Sequence, residues 1–211
     1  MDALECIRTR RSVRRFSDVP VEMSKVGEIL DAGRLAPSAG NLQTWRFILV
    51  VDEDKRRRIA QACLEQHWVA DAPIHIVVVA DSDETKLYYG ERGEKVYSVQ
   101  NAAAAVQNML LAAHAVGLAS CWVSAFEENQ LGSLLDVPPS HRIQAVLPIG
   151  YADEKPIEPA KYKIDAVVFL ESFGARLLDF PWVLEHYSFH VDKAIKKGMK
   201  LFEKAHEKLK R

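Results

Sequence analysis

Most signatures that would assign a chain of 211 residues to a common enzyme class are missing here. No Gly-x-Gly-x-x-Gly follows an apolar run, no Gly-x-x-x-x-Gly-Lys-Ser/Thr is present, and no Gly-x-Ser-x-Gly marks a serine nucleophile. The usual dinucleotide, triphosphate and hydrolase readings therefore lose their support. Cysteine is scarce: Cys6, Cys63 and Cys121 form no Cys-x-x-Cys pair and are odd in number, which argues against a disulfide framework and for a reducing, cytoplasmic interior. No apolar core follows the first arginines, so the N-terminus does not read as a signal peptide, and no run is long enough to cross a bilayer. The seven histidines are scattered. The one suggestive pair, His186 and His190, lacks an obvious third ligand, so no metal site is expected. A formal net charge of −1 supplies no global attraction to nucleic acid or to an acidic membrane.

What the chain does contain is a series of short apolar and amphipathic segments. "MDALECIRTR" predicts a short helix with Leu4 and Ile7 inward, followed by an irregular connection that ends at Pro20. Residues 23–33 place Met23, Val26, Ile29 and Leu30 on one helical face, with Gly33 as the C-terminal cap. "RFILVV", "APIHIVVVA" and "IQAVLPIGYA" predict strands, and "DEDKRRRIAQACLEQHW" a helix with an acidic first turn. The polar, glycine-punctuated stretch from Asp81 to Ser98 predicts a mobile surface segment. It leads into the strongest helix, "VQNAAAAVQNMLLAAHAVGL", whose Val99, Val106, Met109, Leu110, Ala113 and Val116 are apolar and whose end is marked by Gly117. Helices and strands alternate irregularly without a repeat. The expected architecture is one α+β domain over residues 1–180, with a central sheet flanked by helices, and a helical arm over 181–211 that packs on a partner subunit.

Four stretches carry possible chemistry. Arg10, Arg11, Ser12 and Arg14 lie close enough in "RTRRSVRRF" to converge on one anion, since guanidinium forks match phosphate oxygens; a solvated basic loop is the alternative. In "APSAGNLQTWRF", Pro37, Ser38, Asn41 and Gln43 are either an ordinary connection or a set of donors and acceptors for the edge of a planar heterocycle. "GLASCWVSAF" turns at Ser124 and Ala125, small residues that let a backbone N–H approach a ligand. Lys161 and Lys163 add two cations. Cys121, beside Trp122, reads as core rather than as a reactive thiol.

In this order the four stretches resemble the FMN-dependent nitroreductase family. "RRSVRRF" is similar to its opening phosphate motif, "APSAGNLQTWRF" to its Ala-Pro-Ser-(Ser/Ala)-x-Asn-x-Gln-Pro-Trp motif, "AAHAVGLASCWVSAF" to its Gly-Leu-Gly segment, and "PIGYADEKP" to its last strand and exit. The likeness spans about residues 4 to 170. It implies a three-layer fold with a mostly antiparallel sheet, formed as an intertwined homodimer with FMN at the interface. Arg10, Arg11, Ser12 and Arg14 would hold the phosphate and ribityl chain, helped by Lys161 and Lys163. Pro37, Ser38, Asn41 and Gln43 would reach the same flavin from the other subunit, and Ser124 or Ala125 would present a backbone N–H to flavin N5. Thr44 stands where the family usually has Pro, a change expected to alter loop stiffness more than binding.

The implied activity is hydride transfer from NADH or NADPH through the flavin to a nitroaromatic, quinone or similar acceptor, in a ping-pong cycle without a catalytic side chain. Reductive dehalogenation, flavin breakdown and FMN binding without turnover are same-fold alternatives. A nucleic-acid-binding module is the reading from another class. Asp81 to Ser98, with Tyr88, Tyr89 and Arg92, is the candidate lid.

Overall fold

The computed structural model describes residues 1–175. The chain divides into two compact units, Met1–Glu158 and Pro159–Arg211. The expected boundary near residue 180, the arm at 181–211 and the His186–His190 pair lie outside the described residues.

In the first unit, β1 (Trp45–Val50), β2 (Ile74–Asp81), β3 (Ala119–Ser120) and β4 (His141–Gly150) form an antiparallel sheet in the order β1-β2-β4-β3. β2 is apolar along nearly its whole length because both its faces are covered. On one side Ile76, Val78, Ala80, Ala145, Leu147 and Ile149 pack against α2 (Met23–Arg34) and α5 (Ser98–Ala115), through Ile29, Val106 and Met109. On the other, Val77, Val79, Ile143 and Val146 meet Ile59 of α3 (Glu53–Ala62) and Leu131 of α6 (Glu128–Leu134). The expected three-layer α+β fold is therefore present.

Local chemistry sets the helix ends. Asp2 accepts from Glu5 N–H at 3.0 Å and caps α1 (Ala3–Thr9); Asp52 accepts from Lys55 N–H at 2.8 Å and caps α3. After α5, Gly117 takes φ +80° while Leu118 N–H reaches Ala113 O at 2.8 Å and Gly117 N–H reaches His114 O at 3.1 Å. That pair of bonds closes the helix in the way its glycine predicts.

Four expectations need correction. Leu4 and Ile7 are exposed, at 62% and 56%, and Cys6 is the residue of α1 that turns inward, with Sγ 3.2 Å from Leu111 O. Met23 is likewise exposed on the first turn of α2, although Val26 and Ile29 are buried. Gly33 is not a cap but lies inside α2, where an added Cβ would come within 2.2 Å of Met109 Cε; its role is close approach of α2 to α5. From Ser82 onward the Asp81–Ser98 stretch is helical: α4 (Ser82–Arg92) bends at Gly90, φ +60° and ψ −148°, and a wide turn Gly93–Tyr97 feeds into α5. Its glycines serve that bend, since a Cβ on Gly93 would sit 2.0 Å from Thr85 O. No helix among the described residues is long and apolar enough to cross a membrane.

Candidate functional site

The arginine stretch is held in place by its apolar residues. α1 closes on Arg10, whose N–H donates to Cys6 O at 3.0 Å, and the chain then runs beside β3, with Val13 N–H donating to Ser120 O at 3.1 Å. Val13 and Phe16 are buried with Ala72 and Ala119, in a cluster that Trp68 packs against. Because these two side chains point inward, Arg14 and Arg15 between them are left at the surface.

Carboxylates then sort the arginines. Arg11 Nη2 pairs with Glu158 at 2.9 Å, and its Nη1 donates to the carbonyls of Arg8 and Arg10 at 2.6 and 2.9 Å. Arg15 pairs with Asp153 at 3.3 Å. Glu154 is occupied by the backbone, accepting from Arg14 N–H at 2.6 Å and Arg15 N–H at 3.3 Å. The Arg14 guanidinium lies over the Trp68 ring, 5.7 Å from its centroid.

Arg10 and Arg11 line a cleft of about 340 Å³ together with Thr9, His114, Gly117, Leu118 and Ser120. No carboxylate among the described residues contributes to its wall. Thr9 Oγ1 and His114 Nε2 share a hydrogen bond of 2.8 Å. Burial, and then the charges of Arg10 and Arg11, hold the His114 pKa below the usual imidazole value. A pocket lined by two guanidinium groups and a hydroxyl suits an anion, with Arg10 the stronger donor because Glu158 already pairs with Arg11; the expected Ser12 and Arg14 do not line it.

The second stretch forms a tight turn of its own. Ser38 Oγ accepts from Gln43 N–H at 3.0 Å, Gln43 Nε2 donates to Asn41 O at 3.2 Å, and Asn41 and Gln43 both have positive φ, +57° and +52°. None of Pro37, Ser38, Asn41 or Gln43 lines the cleft of Arg10 and Arg11. The turn is pinned from below by Asn101 of α5, buried, which accepts from Ala39 N–H at 2.9 Å and donates to Thr44 Oγ1 at 3.1 Å. Thr44 is fully buried, so it holds the loop by a hydrogen bond where a proline would do so by its ring. Tyr89 of α4 meets the same turn: its hydroxyl lies 2.4 Å from where a Cβ on Gly40 would stand and would have to move aside for one, while φ +57° at Gly40 is the conformation that favours glycine there.

Ser124 and Ala125 are exposed, while Val123 N–H donates to Val146 O at 3.0 Å and Glu127 N–H to Ala62 O at 2.8 Å to fix the segment on either side. The segment's start, at Ser120, is the partner of Ser12, so these two stretches are neighbours. Ser124 itself lines a different groove, with Val99, Trp122 and Phe126. Lys161 and Lys163 are exposed in the second unit, where Lys163 O accepts from Ala166 N–H at 3.0 Å. Cys121 is buried, as expected, and burial pushes its thiol pKa up against the opposing effects of Arg14 and Ser12. Asp81, Asp83 and His141 also cluster, but Arg46 already places a cation 2.8 Å from Asp81.

Sequence reasoning missed Asn101, His114 and Trp68. Only Asn101 left a signal, as a polar residue on the buried face of an apolar helix.

The nitroreductase family model matches residues 7–75 and 64–151. The chain belongs to the nitroreductase family. A Methanothermobacter thermautotrophicus protein provisionally named NADH dehydrogenase/NAD(P)H nitroreductase is 36% identical over 160 residues, covering 74% of this chain and 80% of that one. A Rhodospirillum rubrum protein named 5,6-dimethylbenzimidazole synthase is 30% identical, over 74% of this chain and 83% of its own. Among solved structures, an FMN-dependent nitroreductase of Clostridium difficile superposes with a TM-score of 0.69 at 28% identity, covering 81% of this nitroreductase and 99% of that chain.

Proposed function

We propose that this nitroreductase is an FMN-dependent oxidoreductase that draws electrons from NADH or NADPH and works as a homodimer, with a nitroaromatic, quinone or similar small acceptor and a ping-pong order. The observation that carries this reading is the cleft lined by Arg10 and Arg11, to which no carboxylate side chain among the described residues contributes, a set of donors that fits a phosphate; Ser12 and Arg14 lie on the same strip but do not line it. The names of its relatives support the redox chemistry. When bound, the flavin supplies two-electron hydride transfer between nicotinamide and acceptor. Arg10, Arg11, Ser12 and Arg14 bind the phosphate end, with Lys161 and Lys163 as further cations. Ser124 or Ala125 offers a backbone N–H to the ring. The turn at Pro37, Ser38, Asn41 and Gln43, which the single chain keeps out of the arginine cleft, serves the flavin bound to the other subunit. No side chain need act as acid or base.

The purified protein is expected to be yellow and to bleach on anaerobic addition of NADH or NADPH. A colourless protein that FMN cannot reconstitute sinks the reading, and a yellow one that neither nicotinamide bleaches leaves FMN binding without turnover. Flavin breakdown is a second reading, favoured by the Rhodospirillum rubrum relative, because a dimethylated benzene ring is common to that protein's named product and to the flavin. Air separates the two: an oxidoreductase regains its full yellow absorbance after reduction, whereas a flavin-destroying enzyme loses it.

α4 and the turn after it are the proposed lid. Tyr89 packs edge-on against Tyr97, ring centroids 5.2 Å apart, and touches Gly40, while Tyr88 is 65% exposed. Replacing Tyr88 and Tyr89 by alanine is expected to change the ratio of kcat/KM between a quinone and a nitroaromatic at least several-fold, with FMN content unchanged. An unaltered ratio removes the lid.

A further inference from the structure

We infer that His114 is a proton-linked binding residue of the cleft of Arg10 and Arg11: its imidazole is neutral in the flavin-free chain and takes up a proton when the phosphate end of the cofactor enters, so that FMN affinity and pH are coupled. This rests on the FMN reading above. Thr9, Arg10 and Arg11 come from the end of α1 and just beyond it, His114 from the last turn of α5, and all of them line the cleft. Thr9 decides which ring nitrogen of His114 carries the proton. A threonine hydroxyl has one hydrogen to give. That of Thr9 goes to Glu5 O at 2.7 Å, so its oxygen accepts from His114 Nε2–H at 2.8 Å. The other acceptor within reach, Met1 Sδ, is weaker and lies 3.8 Å away. Nδ1 is therefore the basic nitrogen, and it has no hydrogen-bond partner among the described residues.

The charges around the ring oppose its protonation. Arg10 and Arg11 face the same cleft, and together with burial they hold the imidazole below its usual value. Glu158 meets this group through Arg11, at 2.9 Å. Asp2 and Glu5, the acids at the α1 end, are exposed and do not line the cleft, whereas Met1, which does, carries the α-amino group, a further cation. The residues that β3 and the segment after β4 contribute to the wall, Ala119, Ser120, Ala152 and Pro156, bear no charge. An entering phosphate reverses the balance: it brings up to two negative charges to a ring that faced only cations, and this favours the imidazolium. Proton uptake then supplies Nδ1–H as a new charged donor. The sign follows from linkage. A group with a higher pKa in the complex than in the free chain holds more protons there, so binding strengthens as pH falls through that interval and is indifferent to the group above it. Arginine, charged throughout, cannot give this dependence.

The test is titration of the flavin-free full chain with FMN, followed by flavin fluorescence at about pH 5.5 and about pH 8, either side of the imidazole range, at constant ionic strength. Riboflavin, which has the same ring system but no phosphate, is the control. Wild type, His114→Gln and His114→Arg are compared; the titrations of the phosphate and of the α-amino group are common to all three, so the ratio of affinities isolates His114. His114→Gln is expected to bind FMN as wild type does at the higher pH and about tenfold more weakly at the lower, the scale of one charge-assisted hydrogen bond. His114→Arg, whose charge is fixed, covers the case in which the glutamine variant does not fold: it is expected to match wild type at the lower pH and to exceed it about tenfold at the higher. Neither variant should change riboflavin binding relative to wild type at either pH. Ratios for FMN that do not vary with pH, or ratios for riboflavin that vary in the same way, overturn the role of His114 while leaving the functional reading intact. Failure of the wild-type chain to bind FMN at either pH overturns both.

Discussion

Replacing Arg10 and Arg14 together by alanine is expected to weaken FMN binding about a hundredfold, because two charge-assisted contacts to a phosphate at about 1.5 kcal/mol each account for that factor. Arg10 lines the cleft, and Arg14 pairs with no carboxylate among the described residues. Arg11 and Arg15 are weaker choices for the same experiment, since Glu158 and Asp153 already neutralise them in part. Riboflavin affinity should change little, and thermal stability should hold, because the guanidinium groups removed carry none of the core packing that Val13 and Phe16 provide. Flavin content measured by absorbance after gel filtration checks the result. Full FMN retention in the double variant would make the cluster a solvated basic loop.

The second large effect is expected at Asn101. Its side chain is buried and satisfies two groups at once, the N–H of Ala39 and the hydroxyl of Thr44, which is itself fully buried. Asn101→Leu strands both partners away from water, at a cost of about 2–3 kcal/mol, or roughly 5 to 10 °C in Tm for a domain of this size. Thr44→Val, which removes the hydroxyl at nearly constant volume, breaks only half of the arrangement and should cost about 1 kcal/mol. The leucine variant should also weaken FMN binding, because the Pro37–Gln43 turn loses the anchor that sets its position. Differential scanning calorimetry together with an FMN titration reads both effects. A Tm unchanged by Asn101→Leu would show that the turn is held by its internal bonds from Ser38 to Gln43 and from Gln43 to Asn41 alone.

Much of the architecture was legible because its determinants are local. Asp52 before an acidic first turn, Gly117 after a long apolar helix, and the apolar run of β2 each specify an element through a capping bond, a permitted dihedral or a period in the sequence. The family likeness was legible for a related reason: Arg10, Arg11, Ser12 and Arg14 are near neighbours in the chain, so the motif can be read without knowledge of the fold. Where the reading failed, one-dimensional pattern met a competing cause. The Asp81–Ser98 stretch looked like a loop because glycine and charge mark loops, yet Gly90 and Gly93 are there so that a helix can bend and pass Thr85 closely. Gly33 looked like a cap and is instead the point where Met109 of a neighbouring helix presses in.

The sequence by itself determined which segments become strands and helices, which cations cluster, and the family to which the chain belongs. Tertiary structure alone decided that Arg11 and Arg15 are paired while Arg14 rests on Trp68, that His114 joins the cleft, and that Asn101 holds a turn 62 positions away. Those outcomes depend on which side chains meet when distant segments pack into one core, and spacing along the chain carries information only about neighbours on the same element.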